Sequence, residues 1–105
     1  MNEQTLSMRL ERVAAHVPAG ARLADIGSDH GYLPVALMRR GAIAMAVAGE
    51  VALTPFGAAQ RRVRESGQEL NITVRLANGL AAIEPADGIS AVSYTHLTLP
   101  TTPYV

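Results

Sequence analysis

The sequence contains no cysteine, and this absence excludes several kinds of chemistry at once. Disulfide bonds, zinc sites built on thiolates and cysteine nucleophiles are all ruled out. The chain also lacks any apolar run close to the roughly 20 residues that a membrane-spanning helix requires. Its first residues, MNEQTLSMRLERV, do not have the basic-then-apolar order of an export signal. We therefore expect a cytoplasmic protein with no membrane partner.

Lysine is missing as well, since all nine basic residues are arginine. Nine acidic residues balance them, so the formal net charge at pH 7 is zero. A neutral chain gives no electrostatic indication of nucleic-acid binding. With 49% hydrophobic residues, the composition is that of a globular chain rather than a disordered one.

Helical and strand patterns alternate along most of the chain. Apolar residues spaced by three and four positions predict an amphipathic helix over residues 6–17. Thr54 is expected to cap a later helix, with Pro55 in its first turn, and Asn78 with Gly79 predicts a turn. Apolar and β-branched runs predict strands at residues 22–26, 42–48 and 71–76, and a fourth strand that begins at residues 88–92. Helical patterns that glycines stop predict helices at residues 32–40 and 56–65. This alternation predicts an α/β fold with a doubly wound parallel sheet and right-handed crossovers.

The end of the chain, VSYTHLTLPTTPYV, differs abruptly in composition from the rest. It contains no Asp, Glu, Lys or Arg, yet it holds four of the seven threonines and two of the three tyrosines. One explanation is a strand that runs into a Thr/Pro-rich linker. We favour another, because the string resembles a translated transposase sequencing adapter. Residues 1–91 are therefore expected to be the N-terminal part of a domain of marginal stability, and residues 92–105, including His96, a non-native tail.

The stretch ADIGSDHGYLP, residues 24–34, joins the first predicted strand to the next helix through a glycine turn. Open α/β sheets bind nucleotides at such turns. A pyrophosphate-binding turn has glycine where this chain has Asp29, and Gly27 and Gly31 do not have the G-x-G-x-x-G spacing. A carboxylate roughly 4 Å from a phosphate oxygen would cost about 4 kcal/mol at an effective dielectric constant of about 20. Pyrophosphate is therefore disfavoured.

A cationic ligand reverses this electrostatic argument, and S-adenosylmethionine carries a sulfonium and an ammonium but no phosphate. Asp25 is expected to accept hydrogen bonds from backbone N–H groups of the turn or, through water, from the ammonium. Asp29 is expected to face the cationic centre. Glu50, at the end of the second strand, is placed to hold ribose hydroxyls, as an acid there also does in dinucleotide sites. Asn78 and Gly79 are placed to read an adenine edge.

Four segments carry a resemblance to a known family: LSMRLERVAAHVPAGARLADIGSDHGYLP, AVAGEV, TPFGAAQRRV and VRLANGLAAIEP. They resemble the bacterial tRNA (adenine-22-N1)-methyltransferases, which are class I S-adenosylmethionine-dependent methyltransferases, from about residue 6 to residue 91. The resemblance implies a Rossmann-like domain with an incomplete parallel sheet, S-adenosylmethionine as cofactor and tRNA as partner. The residues then expected to bind the cofactor are Asp25, Gly27, Ser28, Asp29, His30, Gly31, Tyr32, Leu33, Glu50, Asn78 and Gly79.

The chain departs from the family pattern at two places. Asn78 stands where the family has the aspartate of a G-D-G turn. The asparagine should retain adenine recognition. From Ser93 onward the chain lacks the family's A-G-M-G-G motif, where we expect substrate-side chemistry. The sequence therefore predicts a fragment of the enzyme.

Methyl transfer to adenine N1 requires alignment and desolvation rather than a nucleophilic side chain. We expect Asp29 to act as the catalytic residue by accepting a proton and Arg9 to contact tRNA. No metal site is expected. His30 is interpreted equally well as a pocket residue or as a helix-start residue. Arg61, Arg62 and Arg64 of the later helix are candidates for RNA contact, but a solvated helix face is favoured because the net charge is zero.

Two other functions stay open. One is an NAD-type dehydrogenase fragment, which Asp29 and the glycine spacing disfavour. The other is a non-catalytic module that binds nucleotides or RNA.

Overall fold

Strands and helices alternate in the computed structural model, which describes residues 6–28 and 30–94. In chain order the elements are α1 (Met8–Ala15), β1 (Ala21–Ile26), α2 (Tyr32–Arg39), β2 (Ile43–Glu50), α3 (Leu53–Glu65), β3 (Ile72–Leu76) and β4 (Ala91–Tyr94). Two short 3-10 helices, Gly79–Ala82 and Pro85–Asp87, connect β3 to β4. The predicted succession of elements is confirmed, with bounds that differ by a few residues.

The four strands form one parallel sheet in the order β3-β2-β1-β4. Ile26, at the end of β1, lies opposite Gly49 of β2 on one side and Tyr94 of β4 on the other. The chain moves outward from β1 to β3 and then returns to the other side of β1, so the strand order reverses at β1. The predicted α/β parallel sheet is confirmed. Its carboxyl edge at the reversal point is where ligands bind in such folds.

The two faces of the sheet are covered unequally. The larger core combines buried side chains of all three helices with those of the strands, among them Leu10, Leu23, Leu33, Ala46, Val63 and Ile72. The opposite face has a smaller core, in which Ala24 and Ile26 pack against Ala82 of the first 3-10 helix. The connection from β3 to β4 therefore packs directly on the face of the sheet that the helices leave uncovered.

The starts of α1 and α3 differ in how they are capped. Ser7 caps α1, because its Oγ accepts a hydrogen bond from the N–H of Leu10 at 3.3 Å. The prediction that Thr54 caps α3 is wrong: the N-cap is Ala52, whose backbone is extended, and Thr54 lies inside the first turn. Pro55 is in the first turn as expected, where its missing N–H costs no intrahelical hydrogen bond.

Part of the predicted non-native segment lies in the sheet. Val92, Ser93 and Tyr94 belong to β4 and pair with Ala24, Asp25 and Ile26 of β1, respectively. Residues 95–105, with His96, lie outside the described residues. The foreign origin of residues 92–105 and the boundary at residue 91 stay predictions.

Candidate functional site

A small cleft opens at the carboxyl ends of β1, β2 and β3. Its volume is about 40 Å³, and it is lined by Ile26, Gly27, Gly49, Val51, Ala77, Asn78 and Gly79. The fold thus brings together Gly27, Asn78 and Gly79, which the sequence analysis placed in one site. Two larger depressions, of about 190 Å³ beside α3 and about 500 Å³ beside the second 3-10 helix, include none of the predicted site residues.

The glycine turn after β1 directs its first two backbone N–H groups at the neighbouring strand. The N–H groups of Gly27 and Ser28 both donate to the carbonyl oxygen of Gly49, at 2.9 and 3.2 Å. These two N–H groups therefore hold the turn against β2. They donate to Gly49 and not to the carboxylate of Asp25.

Asp25 accepts hydrogen bonds from two hydroxyl groups. Ser28 Oγ donates to Asp25 Oδ2 at 2.9 Å, and Ser93 Oγ donates to Asp25 Oδ1 at 2.7 Å. All three side chains are buried. Asp25 therefore connects the turn, through Ser28, and β4, through Ser93, to the end of β1. Sequence reasoning missed the role of Ser93, since its pairing depends on the register of two strands that are far apart in the chain.

Three described residues of the turn have a left-handed backbone. Gly27, His30 and Gly31 have positive φ values of 66°, 52° and 70°, and Gly31 is the N-cap of α2. His30 is exposed. Leu33 is fully buried in the larger core, so a contact between this residue and a cofactor would have to come from its backbone.

Tyr32, at the start of α2, is held by an arginine of α3. Arg62 Nη2 donates to the Tyr32 hydroxyl at 3.1 Å, and Arg62 Cζ lies 4.0 Å from the centre of the Tyr32 ring. The His30 and Tyr32 ring centres are 6.0 Å apart. The expected solvated face of α3 holds for Arg61 and Arg64, which are exposed. Arg62 departs from it, because a cation above an aromatic face packs against the neighbouring helix.

Glu50 ends β2 between two residues that line the cleft, Gly49 and Val51. It is only 4% exposed. Its backbone carbonyl accepts a hydrogen bond from the N–H of Ala77 at 2.7 Å, which fixes the loop after β3 against β2. Asn78, the next residue along that loop, is exposed.

Two predicted site residues stand apart from this arrangement. Asp29 lies outside the described residues, so its catalytic and cofactor-binding roles stay predictions. Arg9 is exposed on α1 and does not line the cleft, and its contact with tRNA stays a prediction. Across residues 6–28 and 30–94, no group of three metal-ligating side chains is present, and no helix is long and apolar enough to cross a membrane.

A parallel sheet with a glycine turn and an acid at successive strand ends is shared by several nucleotide-binding families, and comparison with known proteins distinguishes among them. A family model described as "Methyltransferase domain" matches residues 6–95. The chain belongs to this methyltransferase family. The family expected from the sequence is thereby confirmed at the level of the methyltransferase domain.

Individual relatives are similar over most of this methyltransferase domain. The tRNA (adenine(22)-N(1))-methyltransferase of Bacillus subtilis is 45% identical over 87 residues, which are 83% of this chain and 37% of the relative. The Streptococcus pneumoniae protein Sp1610, solved in complex with S-adenosyl-L-methionine, is 47% identical with a TM-score of 0.85, over 89% of this chain and 44% of that one. TrmK of M. capricolum, solved with S-adenosyl-homocysteine, is 32% identical with a TM-score of 0.78, over 85% and 40%. The chain thus spans about two fifths of these relatives' length.

Proposed function

We propose that this chain is the N-terminal part of an enzyme that transfers a methyl group from S-adenosylmethionine to N1 of adenine 22 in tRNA. The Bacillus subtilis relative is named for this activity. A tRNA substrate places the enzyme in the cytoplasm. The chain contains the glycine turn and the first strand ends, so cofactor binding is the part of the activity that it tests most directly.

The hydrogen bonding of the glycine turn supports S-adenosylmethionine as the cofactor. In a pyrophosphate-binding turn, backbone N–H groups point at the phosphates. Here the N–H groups of Gly27 and Ser28 donate to Gly49 of β2, so they are not directed at a phosphate. A cofactor without phosphate fits this turn better than a dinucleotide. Asp29, the residue after Ser28, adds a negative charge that favours a sulfonium and an ammonium.

We assign the remaining contacts from the positions of the strand ends. Glu50 holds the ribose hydroxyls, and Asn78 with Gly79 reads the adenine edge from the loop after β3. Asp25 positions the turn through Ser28. When bound, S-adenosylmethionine supplies the electrophilic methyl group, while the chain orients it and excludes water.

Two further assignments concern the tRNA side of the reaction. Asp29 is the group that takes up a proton from the methylated base. Arg9, exposed on α1, contacts the tRNA, whose adenine must leave its stack to enter the site.

Calorimetric titration of the 105-residue chain with S-adenosylmethionine, S-adenosylhomocysteine and NAD tests the cofactor. We expect the first two to bind and NAD not to bind. Glu50→Gln should weaken S-adenosylmethionine binding about tenfold or more, because a hydrogen bond to a charged group is lost. Glu65→Gln is the matched control, since Glu65 is exposed at the end of α3, and its affinity should equal that of the unmodified chain.

The alternatives predict different results. NAD binding tighter than S-adenosylmethionine binding would overturn the proposed cofactor. A gel shift with tRNA, in the absence of cofactor binding, would indicate a binding module. Equal affinity of the Glu50→Gln and Glu65→Gln variants would refute the ribose assignment.

A further inference from the structure

Gly49 lies between the two loops that form the cleft, and it contacts both. On one side its carbonyl oxygen accepts the N–H groups of Gly27 and Ser28. On the other side the first 3-10 helix, Gly79–Ala82, approaches so closely that a methyl group on Gly49 would lie 2.9 Å from Ala82 Cβ. Carbon atoms prefer a separation of about 3.5–4.0 Å. The space at this position is therefore filled by the neighbouring helix.

The backbone conformation does not explain a glycine at this place. Gly49 is absent from the glycines of positive φ, so its dihedral angles suit any residue, and it lies within β2. Glycine weakens a strand, and in a strand interior it often marks close approach of another group. The approach of Ala82 supplies that reason.

Ala82 cannot move aside without taking the loop with it. It is 1% exposed and packs with Ala24 and Ile26 in the smaller core. Its carbonyl oxygen accepts a hydrogen bond from Arg75 Nη1 at 2.8 Å, and the same guanidinium binds both carboxylate oxygens of Asp87 at 2.6 and 2.9 Å. A displaced Ala82 would therefore shift its whole 3-10 helix.

Displacement of that helix would reach the cleft directly. The helix begins at Gly79, and the carbonyl oxygen of Asn78 accepts the N–H of Ala81 at 3.1 Å. Asn78 and Gly79 both line the cleft. The position of the loop after β3, one wall of the cleft, is thus set by the contact between Ala82 and Gly49. The position of the glycine turn after β1, the other wall, is set by the hydrogen bonds to the Gly49 carbonyl.

We propose that Gly49 is a positioning residue that sets the distance between the glycine turn and the Asn78–Gly79 loop, and thereby the place of the cofactor's adenosyl group. The inference rests on the proposed function, and it adds a residue that acts through its two neighbouring loops. Its missing side chain is the feature that matters. A methyl group at position 49 moves one wall while the other stays hydrogen-bonded to β2.

The test is a pair of compensating substitutions in the 105-residue chain. Gly49→Ala should weaken S-adenosylmethionine binding about tenfold or more, in line with the cost of overpacking a close contact. Adding Ala82→Gly removes the opposing methyl group and should restore the affinity to that of Ala82→Gly alone. Gly57→Ala is the control, since nothing lies within 4 Å of a methyl group there, and it should bind like the unmodified chain.

A second measurement without ligand separates this proposal from the cofactor assignment. In ¹H–¹⁵N spectra, the amide resonances of Asn78 and Gly79 should shift in Gly49→Ala and return toward the Ala82→Gly positions in the double variant. This result would support the positioning role even if S-adenosylmethionine failed to bind the unmodified chain, which would defeat the proposed function alone. Unchanged resonances in Gly49→Ala, or a double variant as impaired or as unfolded as Gly49→Ala, would overturn the positioning role.

Discussion

At the scale of single residues, one buried carboxylate joins the connection between β3 and β4 to the sheet. Asp87 accepts two hydrogen bonds from Arg75 and one from the backbone N–H of Glu84 at 2.7 Å. Arg22 Nε donates to the Asp87 carbonyl oxygen at 2.6 Å. The hydrogen bonds from Arg75, followed by that from Glu84, lower the pKa of Asp87 from its ordinary value of 3.8 to about 2. The ionised form is thus the one that the fold stabilises.

This lowered pKa predicts how stability changes in acid. Because the pKa is lower in the folded chain than in the unfolded chain, the carboxylate contributes its full stability above about pH 4 and loses it as the pH falls toward 2. Asp87→Asn should lower the free energy of unfolding by about 1–3 kcal/mol at pH 7. Between pH 5 and 2, urea unfolding should show a shallower loss of stability in this variant than in the unmodified chain.

The pH dependence of the unmodified chain is compared with that of Asp87→Asn, because the fold lowers the pKa of a second carboxylate as well. The pKa of Glu11 is also lowered, chiefly by its hydrogen bond with Arg40. That pair is partly exposed and is retained in Asp87→Asn. Parallel pH profiles for the two proteins would contradict the role of Asp87.

At the scale of elements, α1 is a short helix that depends on its contacts with the rest of the chain. A helix of eight residues is too short to be stable alone. It is capped by Ser7 and packs Leu10 into the larger core at 2% exposure. Its Glu11 forms an ion pair at 2.9 Å with Arg40, the residue that follows α2. An exposed ion pair contributes little, so burial of Leu10 is the main anchor.

The anchor can be tested by two truncations on the same helix. Leu10→Ala should lower the free energy of unfolding by about 2–5 kcal/mol, since it removes a buried side chain and leaves a cavity. Met8→Ala should change it by less than about 0.5 kcal/mol, because Met8 is 76% exposed. Both values follow from urea denaturation at neutral pH. Similar losses in the two variants would show that α1 is not anchored through Leu10.

At the scale of the whole molecule, the sheet is most enclosed at its centre. β1 and β2 have hydrogen-bonded neighbours on both sides, whereas β3 and β4 are the edges of the described sheet. One face is covered by three helices, and the other by the connection that contains two 3-10 helices. The centre should therefore open only with global unfolding.

Native-state hydrogen exchange measures this gradient. We predict the slowest backbone exchange for the interior residues of β1 and β2, such as Ala24 and Val47, and faster exchange for β4. The reason is that edge strands open through local fluctuations that leave the rest of the sheet intact. Exchange as slow in β4 as in β1 would show that the structure opens as a single cooperative unit.

The succession of elements was predictable from the sequence because each element has a local signal. Apolar spacing, glycine stops and proline positions identify the helices and strands within a few residues. The short connections between them restrict the topology to a parallel sheet. The turn and strand ends of the cleft were predictable for the same reason, since Gly27, Glu50, Asn78 and Gly79 each follow or end a strand. The sequence by itself therefore determined the α/β fold, the family and the edge where the site lies.

Only the tertiary structure decided which groups pair across that edge. The hydrogen bond between Asp25 and Ser93 joins residues 68 positions apart, and that between Tyr32 and Arg62 joins residues 30 positions apart. The contact of Gly49 with Ala82 likewise crosses from a strand to a later helix. Such pairs have no local signal, because strand register and the packing of the β3–β4 connection bring them together.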